Sequence, residues 1–383
     1  MVNSLKLSVV LATYRRAETL RETLRHLANQ ELVDYSALEV IVIDDASPDH
    51  TGQVVQEAQK SAPFKLSYLR NPENRGPGYT QNQGLRHAQA PLVLLMADDI
   101  WMSPRALNAH IKSHEANPAR EIAVLGRAIQ SPRLTQSVFL RTWNPFRFNA
   151  FDGQTEVPYY RFWACNISAK RDLILSCGGF REHRGRAGAP AHEDPELGYR
   201  LHKVGLRILF EPSAWGHHYH VVPIEGACQR KYETGLNFGE FREYVPEPEI
   251  PVAYHVLNRY TVRDHLQTYR GPRRQFLPPG DRNPLKLLAR EVARRIAFNQ
   301  VTVPLLLEPL VRGAERNALL RKFATSTVYR GILFHHFLRG CRDGDRRYGR
   351  PKLTRWLNEN EKVANSIHQE PLEHSGVVVG RPT

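Results

Sequence analysis

Three pairs of adjacent acidic residues lie where local structure could hold them in place. Asp44-Asp45 and Asp98-Asp99 directly follow short apolar runs, and Glu193-Asp194 is followed by a proline that suits the first turn of a helix. Adjacent carboxylates repel each other unless a cation or hydrogen-bond donors compensate their charge. A divalent cation on a diphosphate could do this at Asp98-Asp99, because hard cations take oxygen ligands. The alternative is a helix cap or a solvated turn.

The other two acidic pairs allow different roles. A carboxylate of Asp44-Asp45 could accept hydrogen bonds from a nucleobase or from ribose hydroxyls, as acidic residues do at strand ends in nucleotide-binding sheets. For one of that pair, capping the helix that follows Ser47 is at least an equal alternative. A carboxylate of Glu193-Asp194 could take the proton from an attacking hydroxyl, and a position at a helix start would hold it rigidly.

A cluster of three histidines, His217, His218 and His220, follows a short apolar run near residue 209. In isolation, such a cluster is more often solvated or structural than metal-binding. Beside an aspartate it becomes a candidate for a cation site. One imidazole among oxygen ligands favours Mn²⁺ or Mg²⁺ over structural zinc.

Apolar runs of the strand type alternate with helical patterns through the first hundred residues. The runs cover residues 5–12, 40–43, 64–69 and 92–96. Such alternation predicts an α/β fold with a mostly parallel sheet flanked by helices, and ligands bind at the carboxyl ends of its strands. Thr13, Asp44-Asp45 and Asp98-Asp99 all fall at such ends.

Six segments together resemble the successive motifs of glycosyltransferase family 2, whose members have the GT-A fold. They are Ser8–Arg16, Val42–Asp49, Asn74–Leu85, Leu95–Ile100, Phe162–Phe180 and His192–Leu201. The likeness covers about residues 5–220, with the motifs in the expected order. Two positions depart from the family pattern: Ala97 replaces the first acid of the DxD motif, and Gln81 stands where the family often has arginine.

The resemblance implies an inverting, metal-assisted transfer of a sugar from a nucleoside diphosphate to an acceptor hydroxyl. It implies these roles: nucleobase and ribose contacts by Thr13 and by Asp44 or Asp45, a diphosphate contact by Arg75, ribose or sugar hydroxyls at Asp98, metal at Asp99 and His218, the acceptor side at Trp163 and Asn166, and a general base at Asp194 within the Glu193-Asp194 motif. The implied cofactor is Mn²⁺ or Mg²⁺. The donor would carry UDP, dTDP or GDP, and the acceptor would be a glycan or a lipid-linked molecule.

The chain is strongly basic, with 53 Lys and Arg against 39 Asp and Glu, a net charge of +14. Polyanions are therefore expected partners, among them phosphorylated substrates, an anionic membrane surface and nucleic acid. Two alternatives follow for function: an inactive domain of this type that binds lipid or nucleic acid, or a sugar nucleotidyltransferase. A sugar nucleotidyltransferase is expected to have a glycine-rich loop after the first strand, and this sequence lacks one. Of the possible polyanionic partners, nucleic acid is the least favoured.

The composition changes near residue 225, which predicts a catalytic domain at 1–225 and a Pro-rich linker with basic helices at 226–383. The tail from about residue 370 is predicted to be disordered. Four scattered cysteines and no apolar run of membrane-spanning length favour a cytoplasmic protein, with contact at the inner membrane face as an option.

The basic C-terminal helices allow two interpretations. Leu285, Leu288, Val292 and Ile296 could pack on the catalytic domain. Alternatively, cations with Tyr329, Phe334 and Phe337 could face anionic lipid, in a helix that ends at Gly340. Two loops are also predicted: a functional one at Trp143–Arg161, and a basic one at Arg181–Arg186 that is either a lid or simply solvated.

Overall fold

The computed structural model describes residues 4–145, 148–182, 192–244 and 284–348. Within them, the strands form a nine-stranded sheet in the order β3-β2-β1-β4-β8-β6-β9-β5, with β7 paired to β9. The strands are β1 Leu7–Thr13, β2 Leu38–Asp44, β3 Lys65–Arg70, β4 Leu92–Ala97, β5 Ile100–Met102, β6 Ile122–Gln130, β7 Glu156–Val157, β8 Asn166–Lys170 and β9 Arg207–His218.

Helices flank this sheet and continue beyond it. They are α1 Ala17–Ala28, α2 Thr51–Gln59, α3 Pro77–His87, α4 Ala106–Ala116, α5 Val138–Thr142, α6 Arg171–Ser176, α7 Glu193–His202, α8 Ile224–Tyr244, α9 Pro284–Ala297, α10 Glu308–Ala314, α11 Ala318–Arg321 and α12 Ser326–Tyr348. A π-helical stretch, Val303–Leu307, leads directly into α10. No helix of the described residues combines the length and the apolar character needed to cross a bilayer.

The predicted α/β class is confirmed. The strands β3, β2, β1 and β4 run parallel, and β1 and β2 are almost wholly buried because helices cover both of their faces. Beyond β4 the sheet is mixed, because β8 runs antiparallel between β4 and β6. The register pairs Thr13 with Asp44 and Ala12 with Ala97, so the carboxyl ends of β1, β2 and β4 lie side by side.

The segment at Trp143–Arg161 is not the exposed functional loop that its composition suggested. Phe148 and Phe151 are buried in the main hydrophobic core. Their rings contact that of Phe210 on β9, with centroid distances of 6.1 and 5.4 Å. The aromatic residues of this segment therefore serve mainly as packing groups, and burial of their large apolar area fixes the segment on the sheet.

A second hydrophobic core joins the C-terminal helices to the rest of the chain. It combines Val303, Val311 and Ile332 with Phe139 of α5 and Cys228 of α8. The residues of this core therefore come from both sides of the boundary predicted at residue 225, which stays a prediction. The linker near residues 246–251 and the tail from residue 370 lie outside the described residues.

The prediction that the last helix ends at Gly340 is wrong, since α12 continues to Tyr348. A Cβ atom at Gly340 would lie 1.9 Å from the carbonyl oxygen of Tyr232 in α8, and one at Gly235 would lie 2.1 Å from that of Phe337. These glycines let the two helix backbones approach closely. Here glycine serves helix packing, as small residues do at tight crossings, rather than helix termination.

The proposed lipid-facing role of the C-terminal aromatic residues is also corrected. Tyr329 and Phe337 are buried, with 0% and 7% of their surface exposed. Phe334 lies under the guanidinium of Arg294, 3.7 Å from its ring centroid. Conversely, Val292 and Ile296 are exposed rather than packed, while the side chains of Leu285 and Leu288 lie outside the described residues.

Candidate functional site

Thr13 and Asp98 meet at the carboxyl ends of β1 and β4. The Thr13 hydroxyl donates to Asp98 Oδ2 at 2.7 Å, and both side chains are almost completely buried. The Asp98 carbonyl oxygen accepts a hydrogen bond from the hydroxyl of Thr23 on α1, 2.6 Å away. Burial raises the pKa of Asp98, although the charge of Arg16 opposes this effect.

Arg16 compensates the charge of both adjacent carboxylates. Its Nη1 atom lies 2.7 Å from Asp98 Oδ1 and 2.7 Å from Asp99 Oδ2, and Nη2 lies 3.0 Å from His220 Nδ1. The sequence argument required a cation beside this acidic pair, and the protein itself supplies one. The basic side chain makes a buried pair of acids tolerable before any ligand binds.

The carboxylate of Asp99 lies close to the rings of two histidines. Its Oδ2 atom lies 2.9 Å from His220 Nδ1 and 3.6 Å from His218 Nε2. Burial raises the pKa of Asp99, but hydrogen bonds from His218 and His220 and the charge of Arg16 outweigh it and hold the pKa well below its usual value. Asp99, His218 and His220 each offer one ligand atom, and these atoms lie within 4.8 Å of one another.

The pleat of β9 separates the three histidines. Successive side chains of a strand point to opposite faces, so His217 and His218 diverge. The His217 ring lies edge-on to Trp215, with centroids 5.0 Å apart, whereas the rings of His218 and His220 stack at 5.7 Å. The sequence alone did not decide whether His217 or His218 would lie beside Asp99. In the structure it is His218 that faces Asp99.

Asp44 and Asp45 have different surroundings. Asp44 is completely buried, and it accepts hydrogen bonds from the Tyr68 hydroxyl, the Arg70 guanidinium and the Ser47 amide. Asp44 therefore holds the turn after β2 and does not cap α2, which begins at Thr51 with His50 as its N-cap residue. Asp45 is the next residue along and reaches the loop that precedes α3.

Asp45 fixes the loop that carries Arg75. Its two carboxylate oxygens accept the backbone N–H groups of Arg75 and Gly76, each at 2.8 Å. The Arg75 side chain is about half exposed, 3.3 Å from Glu73 and 4.7 Å from the ring centroid of Tyr79. Arg75 is thus free to extend toward a ligand, while Asp45 determines where its backbone lies.

Asp194 occupies the first turn of α7. Its Oδ2 atom accepts the N–H of Ala164 at 3.0 Å, and desolvation by the surrounding protein raises its pKa to about 6. A carboxylate with that pKa is ionised at neutral pH and is a better proton acceptor than an ordinary aspartate. Glu193 precedes it as the first, partly buried residue of α7.

A short stretch of backbone connects Asp194 to the acidic pair. Ala164, which holds Asp194, is followed by Cys165, whose carbonyl oxygen accepts the N–H of Ala97 at 3.1 Å. Burial raises the pKa of the Cys165 thiol, and the negative charges of Asp194 and Asp99 add to the effect. The backbone of Ala164 and Cys165 thus links the amide that holds Asp194 to the end of the strand that precedes Asp98 and Asp99.

Strained backbone accompanies these residues. Among the described residues, the non-glycine positions with positive φ are Arg15, Leu32, Ala46 and His192. Three of them directly adjoin Arg16, Asp45 and Glu193. Such conformations cost free energy and concentrate at functional sites. At Arg15 the left-handed turn after β1 precedes the residue whose side chain contacts Asp98 and Asp99.

The two residues assigned to the acceptor side differ in accessibility. Trp163 is partly buried against the main core, edge-on to Phe148 with centroids 5.3 Å apart. Asn166 has 0% of its surface exposed. Its Oδ1 atom accepts a hydrogen bond from His110 Nε2 at 2.9 Å, and its Nδ2 atom donates to the Ala214 carbonyl at 2.9 Å. A side chain held in this way is out of reach of an acceptor in this conformation.

Helix α8 carries an additional cation, Arg230, whose charge interacts with those of Arg16 and Asp99. Arg230 is exposed, and desolvation by nearby protein atoms lowers its pKa. Repulsion from Arg16 lowers the pKa further, whereas attraction to Asp99 opposes the shift. Neither Arg230 nor its neighbour Lys231 forms an ion pair with any residue that the structure describes. A bound anion is the natural partner for such a pair of cations.

An open cleft runs beside Arg16 and His220. Its cavity volume is about 430 Å³, and Glu18, Asp49 and Tyr219 also line it. That volume lies within the range of small-molecule sites. Of the basic loop predicted as a lid at Arg181–Arg186, residues from 183 onward lie outside the described residues. Arg181 itself donates to the buried carboxylate of Glu196 at 2.5 Å.

Sequence reasoning did not assign roles to Arg16, His220 and Arg230. A signal existed for His220: in a strand, residues two apart share a face, so a histidine two positions after His218 should point the same way. No comparable signal existed for Arg16 or Arg230. Their positions depend on the turn at Arg15 and on the packing of α8 over the sheet.

The model of a family described as "Glycosyl transferase family 2" matches residues 8–172. Over these residues the chain is similar to glycosyltransferase family 2. The validoxylamine A glucosyltransferase of Streptomyces hygroscopicus subsp. jinggangensis is 29% identical over 258 residues, which cover 60% of this chain and 58% of that protein. An uncharacterized glycosyltransferase of Bacillus subtilis, YfnE, is 35% identical over 250 residues, covering 53% of this chain and 62% of that protein.

Among solved structures, a mannosyltransferase from Pyrobaculum calidifontis aligns with 88% of this chain and 87% of its own, at 18% identity and a TM-score of 0.49. Because this TM-score is below 0.5, the fold class is assigned from the strand order of the sheet and from the family match. The chain spans only 54% and 58% of the two validoxylamine A glucosyltransferases that it matches.

The family match includes the strands that carry Thr13, Asp45, Asp98 and Asp99, and it stops at residue 172, before α7 and β9. The roles of Asp194 and His218 therefore stay predictions from the resemblance, and His220 joins them because its Nδ1 atom lies 2.9 Å from Asp99 Oδ2.

Proposed function

We propose that this chain catalyses the inverting transfer of a sugar from a nucleoside diphosphate to an acceptor hydroxyl, with Asp194 as the general base. The observation that supports the proposal is the backbone of Ala164 and Cys165, which links the amide that holds Asp194 to the end of β4, next to the cluster of Asp99, Arg16 and two histidines. Inversion requires one carboxylate to take a proton as the hydroxyl attacks. Unlike a retaining mechanism, inversion needs no second carboxylate as nucleophile.

The donor is proposed to lie across the carboxyl ends of β1, β2 and β4. Thr13 and Asp45 flank the nucleobase and ribose side of that edge, and Asp98 is the carboxylate nearest the sugar hydroxyls. Arg75 and Arg230 are the cations proposed to contact the diphosphate. Positive charge held in place before the reaction stabilises the charge that develops on the departing diphosphate.

The residues at Asp99 fit a divalent cation. One carboxylate oxygen and two imidazole nitrogens within 4.8 Å of one another form a mixed donor set. Imidazole ligands suit Mn²⁺ better than Mg²⁺, which prefers oxygen and keeps its waters. Asp99, His218 and His220 would hold the ion, and when bound it supplies positive charge beside the leaving diphosphate. Because Arg16 contacts the same oxygen of Asp99, its guanidinium must yield part of that contact to the ion.

The acceptor is proposed to approach over Trp163, whose partly exposed ring adjoins the backbone segment that holds Asp194. Asp194 Oδ2 is fixed by the Ala164 amide, which leaves Oδ1 for the acceptor proton. The names of two relatives indicate different acceptors, validoxylamine A in one and glucosyl-dolichyl phosphate in the other. A glycan or lipid-linked acceptor thus remains the proposed class.

A thermal-shift panel tests this function. Nucleoside diphosphates and their sugar conjugates, carrying uridine, thymidine or guanosine, are each added with Mn²⁺, with Mg²⁺ and without metal. We expect at least one nucleotide to stabilise the protein, and to do so more strongly with Mn²⁺ than with Mg²⁺. Absence of any metal-dependent shift, together with salt-sensitive binding to DNA, would support the inactive-domain alternative instead.

Arg230→Ala is expected to weaken nucleoside diphosphate binding by about tenfold, because one charge-assisted contact to the anion is lost. Isothermal titration in the presence of Mn²⁺ measures the change. Arg105→Ala is a matched control, since Arg105 is an exposed arginine paired with Glu31 on another surface. Equal affinities of Arg230→Ala and the unmodified protein would remove Arg230 from the donor site.

A further inference from the structure

One helical segment in the C-terminal region is apolar on all sides. Val303 and Val311 are buried in the second core, and Leu307 packs against it. The opposite side of the same segment is also apolar. Its exposed residues, here called the outer face, are Val301, Pro304, Leu305, Leu306 and Pro309.

The outer face is unusual for a solvated helix. Val301, Leu305 and Leu306 expose 62%, 68% and 62% of their surface. A helix that is hydrophobic all round is normally covered on every side. Leu319 and Phe323, at and just beyond α11, add two further apolar side chains that are 68% and 62% exposed. Arg321 joins α11 to the end of α10 by donating to the carbonyl oxygens of Ala314 and Glu315.

Two exposed cations near the outer face lack an acidic partner among the described residues, whereas Arg312 is paired with Glu225 and Glu308. The two unpaired cations are Arg316 and Lys322. The acids of the segment turn toward the protein instead. Glu308 lies 3.0 Å from His336, and Glu315 accepts the amides of Val138 and Phe139.

We propose that the outer face docks on an anionic lipid surface, with Leu305 and Leu306 in the acyl boundary and Arg316 and Lys322 at the headgroups. Apolar side chains flanked by cations are the chemistry that binds the interface of a bilayer without crossing it. The cations distinguish this partner from a second copy of a chain that carries a net charge of +14. The proposal does not depend on the transfer reaction, and its test involves no sugar nucleotide.

Vesicle flotation tests the docking surface. The full chain is mixed with vesicles of phosphatidylcholine alone or of phosphatidylcholine with phosphatidylglycerol. We expect binding to the anionic vesicles only, with Leu305→Ser/Leu306→Ser lowering the partition coefficient at least about tenfold. Arg316→Ser and Lys322→Ser should each lower it about fivefold at low salt.

Matched controls come from exposed apolar residues of the sheet domain. Leu32 and Val204 are 71% and 49% exposed, so Leu32→Ser/Val204→Ser removes comparable apolar surface elsewhere and should leave flotation unchanged. Circular dichroism confirms that each variant is folded. The proposal is overturned if the anionic vesicles do not bind the protein, or if both double variants lose binding equally. It is also overturned if Leu305→Ser/Leu306→Ser abolishes self-association in sedimentation but not flotation.

Discussion

Asp194→Asn is expected to lower the turnover number by about 10²–10⁴-fold, because the attacking hydroxyl loses its proton acceptor. Asparagine keeps the shape of the side chain and can still accept the Ala164 amide, so donor affinity should stay within a factor of about two. Steady-state kinetics and calorimetry measure the two quantities separately. Glu193→Gln provides a neighbouring comparison, and a turnover unchanged in Asp194→Asn would exclude Asp194 as the base.

The pH profile gives the same residue a second test. The pKa of Asp194 is about 6, so kcat/KM should fall tenfold per pH unit below that value and level off above it. Asp194→Asn should remove this limb from the residual activity. A profile whose acid limb persists in the variant would assign the titration to another group.

The raised pKa also has a consequence for stability. Since the folded-state pKa of about 6 lies above the ordinary value of 3.8, the protonated carboxyl favours folding, and this contribution is lost as the pH rises through 6. An amide carries no charge at any of these pH values. Asp194→Asn should therefore increase the free energy of unfolding at pH 8 by up to about 3 kcal/mol, and by little at pH 4, as measured with urea. A carboxylate held in a desolvated site therefore lowers the stability of the fold at neutral pH.

The sheet could be predicted from sequence because its central strands carry continuous apolar runs. Runs such as 40–43 and 92–96 leave few alternatives to a covered parallel strand, and polar residues at their ends then fall on one edge. Thr13, Asp45, Asp98 and Asp99 were located by this rule, and their side chains lie at that edge. A local sequence pattern is sufficient to predict a functional residue when that residue directly follows the strand that positions it.

Features that depend on distant contacts could not be predicted in the same way. The carboxylate of Asp44 is occupied by hydrogen bonds from Tyr68 and Arg70 on the neighbouring strand. The amide oxygen of Asn166 is occupied by a hydrogen bond from His110 on α4. Gly340 resembles a helix end in sequence but is a contact point for α8. Burial of Tyr329 likewise follows from the second core, which joins residues nearly two hundred positions apart.

His220→Ala and His218→Ala are expected to weaken Mn²⁺ binding by more than about a hundredfold, because each removes one of three protein ligands. Loss of an outer partner alone typically costs 10–100-fold, so loss of a direct ligand should exceed that range. Mn²⁺ titration followed by electron paramagnetic resonance measures the affinity in the presence of nucleoside diphosphate.

His217→Ala is the matched control, because the strand pleat turns this adjacent histidine toward Trp215 and away from Asp99. It removes the same chemical group one position away and should leave Mn²⁺ affinity unchanged. Equal weakening in all three variants would mean that the histidines act through the fold of β9 rather than as ligands. Weakening in His218→Ala and His220→Ala alone would establish that the last residue of β9 and the histidine two positions beyond it form the cation site with Asp99.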